Sequence, residues 1–149
     1  MKNDVVPVEI RGLLPTSSGW AVFLGNDEKV FVIQIEQGMA LVIEGFRQAK
    51  PKERPLTHDL MIHVFLGFGI SLERIIITEL RNSTYFARMI LQQTNELGRK
   101  MVELDARPSD CLALAVAQKK PIFVARSLFE NLDDMSHLLE QINEADDNE

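Results

Sequence analysis

The chain has little cysteine and no long apolar run, and both absences exclude classes of protein. Cys111 is the only cysteine, so neither an internal disulfide nor a zinc cluster of thiolates can form within one chain. No stretch of eighteen apolar residues occurs, and the N-terminus MKNDVVPVEI lacks the basic-then-apolar order of a signal peptide. We therefore expect a cytoplasmic protein that has no membrane partner and is held together by packing.

The sequence also lacks the short motifs that announce the common cofactors. It contains no G-x-x-x-x-G-K phosphate loop, dinucleotide fingerprint, zinc-finger spacing, H-E-x-x-H or G-x-S-x-G. Trp20 and Tyr85 are not interleaved with basic residues, so no base-stacking sheet is indicated. Cys111 falls in the apolar stripe of a predicted helix, which predicts a buried, inert thiol and not a nucleophile.

Charge is unevenly distributed along the chain. The net charge is −6 from 16 basic and 22 acidic residues, which opposes strong attraction to nucleic acid over the whole surface. Much of this excess lies in the tail NEADDNE, so the body of the protein is nearly neutral. Within that body, four basic residues fall between positions 47 and 54 with only Glu53 opposing them. This local basic run is suited to attract an anion.

Hydrophobic periodicity predicts an α+β fold. Alternating apolar residues predict a three-stranded antiparallel meander within residues 5–35, and a helical repeat follows at about 38–49. Strands are also predicted at 74–80, 84–92, 100–105 and 121–125. Further helices are predicted to begin at Thr57 and at Pro108, and a last helix is predicted at about 133–143. The predicted order is βββααββ(β)αβα, with a mainly antiparallel sheet or sheets and about four helices.

The length of 149 residues favours a single domain. We assign residues 1–142 to that domain and residues 143–149 to a disordered acidic tail. Three strands followed by a helix occur twice, at 5–49 and 74–119, which hints at a weak internal duplication.

A two-residue turn at Asn82-Ser83 is expected to close a hairpin, because Asn tolerates positive φ. The resulting register places Glu79 opposite Phe86 and makes Glu79 a diagonal neighbour of Arg88 on one sheet face. We therefore predict that Glu79 and Arg88 form an ion pair or part of a site.

The string RPLTHDL opens the second predicted helix with groups suited to bind an anion. Thr57 is the predicted N-cap, Arg54 supplies a planar cationic fork, and His58 lies in the first turn beside free backbone N–H groups. Asp59 and His63 are four residues apart, so the carboxylate can orient the imidazole or both can reach a metal ion. The alternative is that Thr57 and Asp59 only cap the helix and both histidines are exposed polar residues.

The string LDARPSD opens the third helix and is equally dense in polar groups. Glu103 and Asp105 share one strand face about 7 Å apart, a spacing that can bracket a cation. Arg107 lies at the strand-to-helix turn, and Ser109 and Asp110 offer a hydroxyl and a carboxylate at the helix start. The alternative is again ordinary capping, with the strand carboxylates facing solvent.

Taken in order, three strings resemble the bifunctional nuclease domain family of bacteria and plants over roughly residues 5–130: RPLTHDL, RIIITELRNSTYFARMIL, and VELDARPSDCLALA followed by PIFVA. The resemblance implies an α+β domain and cleavage of both DNA and RNA with little sequence preference. The family motifs correspond in this chain to Arg54, Pro55, Thr57, His58, Asp59, Leu60, Asp105, Ala106, Arg107, Pro108, Ser109 and Asp110.

The leading hypothesis is a nuclease in which Arg54 and Arg107 hold the phosphate and His58 or Asp59 handles the proton of attacking water. The candidate catalytic residues are His58, Asp59, Asp105 and Asp110, and the candidate substrate-binding residues are Arg54, Thr57, Arg107, Ser109, Glu79 and Arg88. Glu103 and Asp105 are candidate ligands for a divalent cation, Mg²⁺ or Mn²⁺. The alternatives are a non-catalytic phosphate-binding or regulatory module, and a structural homo-oligomer formed through apolar strand edges.

Overall fold

The computed structural model describes residues 4–148, which form seven strands and five helices. The strands are β1 Val5–Thr16, β2 Gly19–Gly25, β3 Val30–Ile35, β4 Ile70–Arg81, β5 Thr84–Asn95, β6 Gly98–Ala106 and β7 Ile122–Ala125. The helices are α1 Gln37–Arg47, α2 Thr57–Gly67, α3 Pro108–Gln118, α4 Arg126–Asn131 and α5 Ser136–Asp147. No helix in this part of the chain is both long and apolar enough to cross a bilayer.

All seven strands join one sheet in the order β3-β2-β1-β7-β4-β5-β6. Every neighbouring pair is antiparallel except β4 and β7, which run parallel. The predicted α+β class and mainly antiparallel sheet are therefore confirmed. The two predicted units of three strands and a helix lie on opposite sides of β7, with β1 and β4 as its neighbours.

The hairpin between β4 and β5 has the predicted turn. Asn82 and Ser83 adopt φ values of 52° and 64°, the left-handed conformation at both central positions that matches the twist of a two-residue hairpin. The register beside the turn is also as predicted, because Glu79 lies opposite Phe86. The turn chemistry of the sequence thus fixes the local pairing.

The predicted contact between Glu79 and Arg88 is wrong. A bulge between Ile77 and Glu79 shifts the register, so Arg88 lies opposite Ile76. Glu79 instead forms an ion pair of 3.0 Å with Arg81, and Arg88 contacts Glu103 on β6 at 3.4 Å. One extra residue in the strand is enough to separate the two groups.

Helices cover the sheet unevenly. The main core lies between the sheet and α1 and α3, and five consecutive residues of α3, from Cys111 to Ala115, have no exposed surface. A smaller core on the other face packs Ala21 and Phe23 of β2 against Leu139 of α5. Helix α3 is therefore the buried centre of the fold, and its first turn leads directly into that core.

The buried face of α2 agrees only in part with its apolar spacing, which predicts a buried stripe of Leu60, Met61, Val64, Phe65 and Phe68. Met61 and Phe65 do face inward, together with His58 and Ile62, whereas Leu60, Val64 and Phe68 are exposed. Apolar residues surround most of this helix, so periodicity alone does not select the face. The N-cap is Leu56, one residue before the predicted Thr57, because the Asp59 carboxylate accepts the Leu56 N–H at 2.9 Å.

The C-terminal region also differs from its prediction. A separate short helix, α4, precedes α5, and α5 begins at Ser136 because Asp134 Oδ1 accepts the Ser136 N–H at 3.0 Å. Helix α5 continues to Asp147, so residues 143–147, assigned from sequence to a disordered tail, are helical. Residue 149 lies outside the described residues.

Candidate active site

The N-termini of three helices meet at one end of the domain. Glu36 precedes α1, Arg107 precedes α3, and their side chains form an ion pair with Arg107 Nη1 3.1 Å from Glu36 Oε1. Asp110 in the first turn of α3 accepts a hydrogen bond of 2.9 Å from Arg107 Nε and lies 2.9 Å from Nε2 of His58 on α2. The RPLTHDL and LDARPSD strings therefore meet at the Asp110 carboxylate.

Local sequence explains how Arg107 reaches this position. Pro108 occupies the first helical position, which sets its own φ and leaves Arg107 in an extended conformation with ψ of 143°. The Arg107 carbonyl then accepts the first helical bond, from the Cys111 N–H at 3.1 Å. The guanidinium turns back over the first turn of α3, where Asp110 complements the positive end of the helix dipole.

Asp110 is held as a carboxylate. Partial burial raises its pKa, but hydrogen bonds from Arg107 and His58, together with their charges, outweigh that effect and hold the pKa below its usual value. The same contact acts on Arg107, whose pKa is raised mainly by its hydrogen bond to Asp110 and by the Asp110 charge. At neutral pH, Asp110 is therefore an acceptor only.

That state of Asp110 fixes the tautomer of His58. Because an ionised carboxylate has no proton to give, Nε2 of the imidazole must be the donor in the 2.9 Å contact. In the neutral ring, Nδ1 is then the acceptor. His58 is only 7% exposed, yet its Nδ1 has no protein partner among residues 4–148 and is not sealed from solvent. The arrangement is that of a histidine base oriented by a carboxylate.

Asp59 has a different environment. Both of its carboxylate oxygens accept hydrogen bonds from Lys52 Nζ, at 3.0 and 2.8 Å, and the ammonium lies 3.9 Å from the centre of the Phe46 ring. Partial burial raises the pKa of Asp59, but the bonds from Lys52 and the Leu56 N–H and the charges of Lys52 and His63 lower it overall. Asp59 thus fastens the basic linker to α2 and caps the helix.

Two open clefts meet at the ion pair between Glu36 and Arg107. The first, of about 880 Å³, lies between α1, the linker and the start of α2; the second, of about 610 Å³, lies between β3, the β4–β5 turn and the start of α3. Both are lined by Glu36 and Arg107. An extended ligand crossing from one cleft to the other must therefore pass this ion pair.

The predicted site residues divide between these clefts. Arg54, Thr57, His58, Asp59 and Arg107 line the first cleft, and Asp105, Arg107 and Ser109 line the second. Asp110 joins the two strings through its bonds to His58 and Arg107. Glu79, Arg88 and Glu103 line neither cleft and are held in ion pairs on the strands.

Sequence reasoning missed two side chains of this region. Glu36 bonds Arg107, and Lys52 holds Asp59. Lys52 belongs to the basic run between positions 47 and 54, so its charge could have marked it as a residue of the site. The sequence signal for Glu36 is weaker: it directly precedes α1, just as Arg107 directly precedes α3 in the second unit of three strands and a helix.

Glu103 and Asp105, the residues proposed to bind a cation, belong to no larger cluster of metal-ligating side chains in the described part of the chain. Residues 4–148 contain no group of three or more His, Cys, Asp or Glu side chains able to hold a metal ion. The guanidinium of Arg88 contacts Glu103, and Arg88 is also the cross-strand neighbour of Asp105. Glu103 and Asp105 therefore flank an arginine of the neighbouring strand.

Cys111 is expected to be unreactive in the folded protein. Its thiol has no exposed surface, and burial, together with the charges of Asp110 and Asp105, raises its pKa to about 12. A disulfide reagent at pH 8 should give no measurable reaction with the native protein and one thiol per chain in denaturant. Reaction of the native protein at the rate of a free thiol would contradict this burial.

Comparison with known proteins identifies the family. The bifunctional nuclease domain matches residues 22–135, which is most of the chain. Uncharacterized proteins from two strains of Mycobacterium tuberculosis are each 31% identical to the chain over 103 residues, a match that covers 69% of this chain and 58% of theirs. The aligned part is thus less than two thirds of those relatives. The chain belongs to the bifunctional nuclease domain family.

Proposed function

We propose that this protein is a nuclease that hydrolyses phosphodiester bonds of RNA and DNA with little sequence preference. The observation that carries the proposal is the hydrogen-bonded chain from His58 through Asp110 to Arg107, located where two helix N-termini face an open cleft. Family membership supports the same reaction class. The cleft holds a base, cations and free backbone donors, which are the groups that phosphodiester hydrolysis needs.

Phosphate binding is assigned to the first cleft. Arg54 and Arg107 present guanidinium groups there, and the first turn of α2 presents backbone N–H groups and the positive end of its dipole. Arg107 is anchored by Glu36 and Asp110, which fixes its orientation but neutralises part of its charge. Arg54 has no carboxylate partner among residues 4–148, so its positive charge is less neutralised than that of Arg107.

Proton transfer is assigned to His58. Its Nδ1 accepts the proton of the attacking water molecule, while Nε2 remains bonded to Asp110. The water oxygen bonds to phosphorus as the phosphorus–oxygen bond to the leaving sugar breaks, and the leaving sugar oxygen takes up a proton from solvent. The imidazolium formed in this step is stabilised by the Asp110 carboxylate. The developing negative charge on phosphorus-bound oxygen is stabilised by Arg107, Arg54 and the helix N-terminus.

The direct test is to incubate purified protein with single-stranded RNA and linear DNA in the presence of magnesium, manganese or a chelator. Arg54→Ala/Arg107→Ala should cleave at least about 10²-fold more slowly, since each lost charge-assisted hydrogen bond costs roughly 1.5–3 kcal/mol. Arg74→Ala/Arg81→Ala is the matched control, because it removes the same charge from exposed positions outside both clefts. Equal cleavage by both double variants would reject this phosphate site.

One observation favours a second candidate, a phosphate-binding module without catalysis. Two carboxylates already compensate Arg107, and the chain carries a net charge of −6, so the cleft has limited excess positive charge to stabilise a transition state. Fluorescence polarisation with a labelled oligonucleotide separates the candidates. Binding that depends on Arg54, with no cleavage in any metal condition, would favour the module over the enzyme.

A further inference from the structure

The β6 strand forms a bare edge of the sheet. Among residues 4–148 it pairs only with β5, in a regular nine-residue register without a bulge, and it contains no proline. Seven of its nine residues are exposed, including Met101 and Leu104 on opposite faces. Such an edge leaves a row of backbone N–H and C=O groups open to pair with another strand.

The other edge of the sheet, β3, is partly covered by the segment before α5. At the start of β3, the Met135 N–H donates to the Val30 carbonyl at 2.6 Å, and the Val30 N–H donates to Asp134 Oδ1 at 3.0 Å. The segment before α5 thus occupies the pairing groups at that end of β3. Within residues 4–148, β6 has no such cover.

The charges of β6 indicate what pairs with it. Its sequence GRKMVELDA has two basic residues, Arg99 and Lys100, in the first half and two acidic residues, Glu103 and Asp105, in the second. A second copy running antiparallel brings each basic half against the partner's acidic half. A parallel copy would align like charges, which destabilises a strand pair.

We propose that two copies of the chain pair antiparallel along β6 and join their sheets into one. In a continuous antiparallel sheet, two residues that lie opposite each other on neighbouring strands have their side chains on the same face. A two-fold axis that relates the two copies must therefore pass at a residue of β6 and not between two residues. The residues at the middle of β6 are Met101 and Val102. With Val102 at the axis, Arg99 lies opposite the partner's Asp105. With Met101 at the axis, Arg99 lies opposite the partner's Glu103.

Either register satisfies three features of β6 together. It pairs the open backbone groups, matches the opposite charges, and removes water from the exposed parts of Met101 and Leu104, which are 48% and 43% exposed in one copy. The inference does not depend on the nuclease proposal. The dimer would form with or without catalysis.

Light scattering coupled to size exclusion tests the proposal on the full chain. Wild type should elute with twice the 16.9 kDa mass of one chain. Arg99→Glu/Lys100→Glu, with an all-acidic β6, and Glu103→Lys/Asp105→Lys, with an all-basic β6, should each be monomeric. An equal mixture of the two variants should restore a dimer, which a merely unfolded variant cannot do.

Arg74→Glu/Lys119→Glu is the matched control, since it makes the same charge change at exposed positions away from β6 and should remain dimeric. A wild-type monomer at the highest soluble concentration would overturn the proposal. So would β6 variants that keep the wild-type mass, because the copies would then meet through another surface. Failure of the mixed variants to associate would exclude charge pairing along β6.

Discussion

Replacing His58 with glutamine is expected to lower the rate of RNA and DNA cleavage by about 10²–10⁴-fold, the range for loss of a positioned general base. The glutamine side chain keeps a donor that can reach Asp110 but offers no nitrogen able to accept a proton. Substrate affinity should change little, because the arginines of the first cleft remain. The fall should therefore appear in kcat more than in KM.

His137→Gln provides the matched control for this experiment. His137 is the exposed histidine of α5, its side chain is 96% exposed, and it lines neither of the two clefts. Its replacement should leave both kcat and KM at wild-type values. If His58→Gln and His137→Gln cleave equally well, the proton acceptor is another group and the assignment of His58 fails.

Replacing Asp110 with asparagine is expected to destabilise the fold by roughly 1.5–3 kcal/mol at neutral pH, the usual contribution of a hydrogen bond to a charged group. Asparagine keeps the shape of the side chain but not the charge that Arg107 and His58 meet. The folded pKa of Asp110 lies below its ordinary value. Its stabilisation is therefore complete above the pKa of the unfolded chain and is lost as pH falls through the lowered folded value.

Urea unfolding at several pH values measures this effect. The difference in free energy of unfolding between wild type and Asp110→Asn should be largest near pH 7 and should shrink as the pH falls below 3.8, the ordinary pKa of this carboxyl, and through the lowered folded value. Asp133→Asn, at an exposed position outside the clefts, should show a smaller difference at neutral pH. If the difference in free energy of unfolding between wild type and Asp110→Asn grows as the pH falls, the assigned direction of the pKa shift is wrong.

The sequence predicted the elements whose signals are local. The Asn82-Ser83 turn, the helix start at Pro108 and the buried Cys111 each depend on neighbouring residues, and each is confirmed. The order of the sheet was beyond such signals, because β7 lies between β1 and β4 although it is the last strand along the chain. The local pattern of apolar and polar residues does not indicate that β7 lies between β1 and β4.

The failures have particular physical causes. The bulge after Ile77 moved Arg88 away from Glu79, and periodicity cannot reveal one unpaired residue in a β-branched run. The inward face of α2 includes His58, whose partner Asp110 is 52 residues away in the chain, so local periodicity carries no sign of this contact. In the same way, the sequence supplied both motif strings of the candidate site but not their meeting at one carboxylate.

The position of α3 has a consequence for how this domain can be altered. Its first turn carries Pro108 and Ser109, which line the second cleft, and Cys111–Ala115 shortly after them have no exposed surface, so this wall of the cleft and the core are one structural unit. Substitutions there change ligand contacts and folding together. The linker at positions 48–56 is exposed along its length, and its second half borders the first cleft. Directed evolution of substrate preference should therefore randomise linker positions other than Lys52, Arg54 and Leu56, because Lys52 and Leu56 hold the start of α2 through Asp59 and Arg54 is assigned to the phosphate.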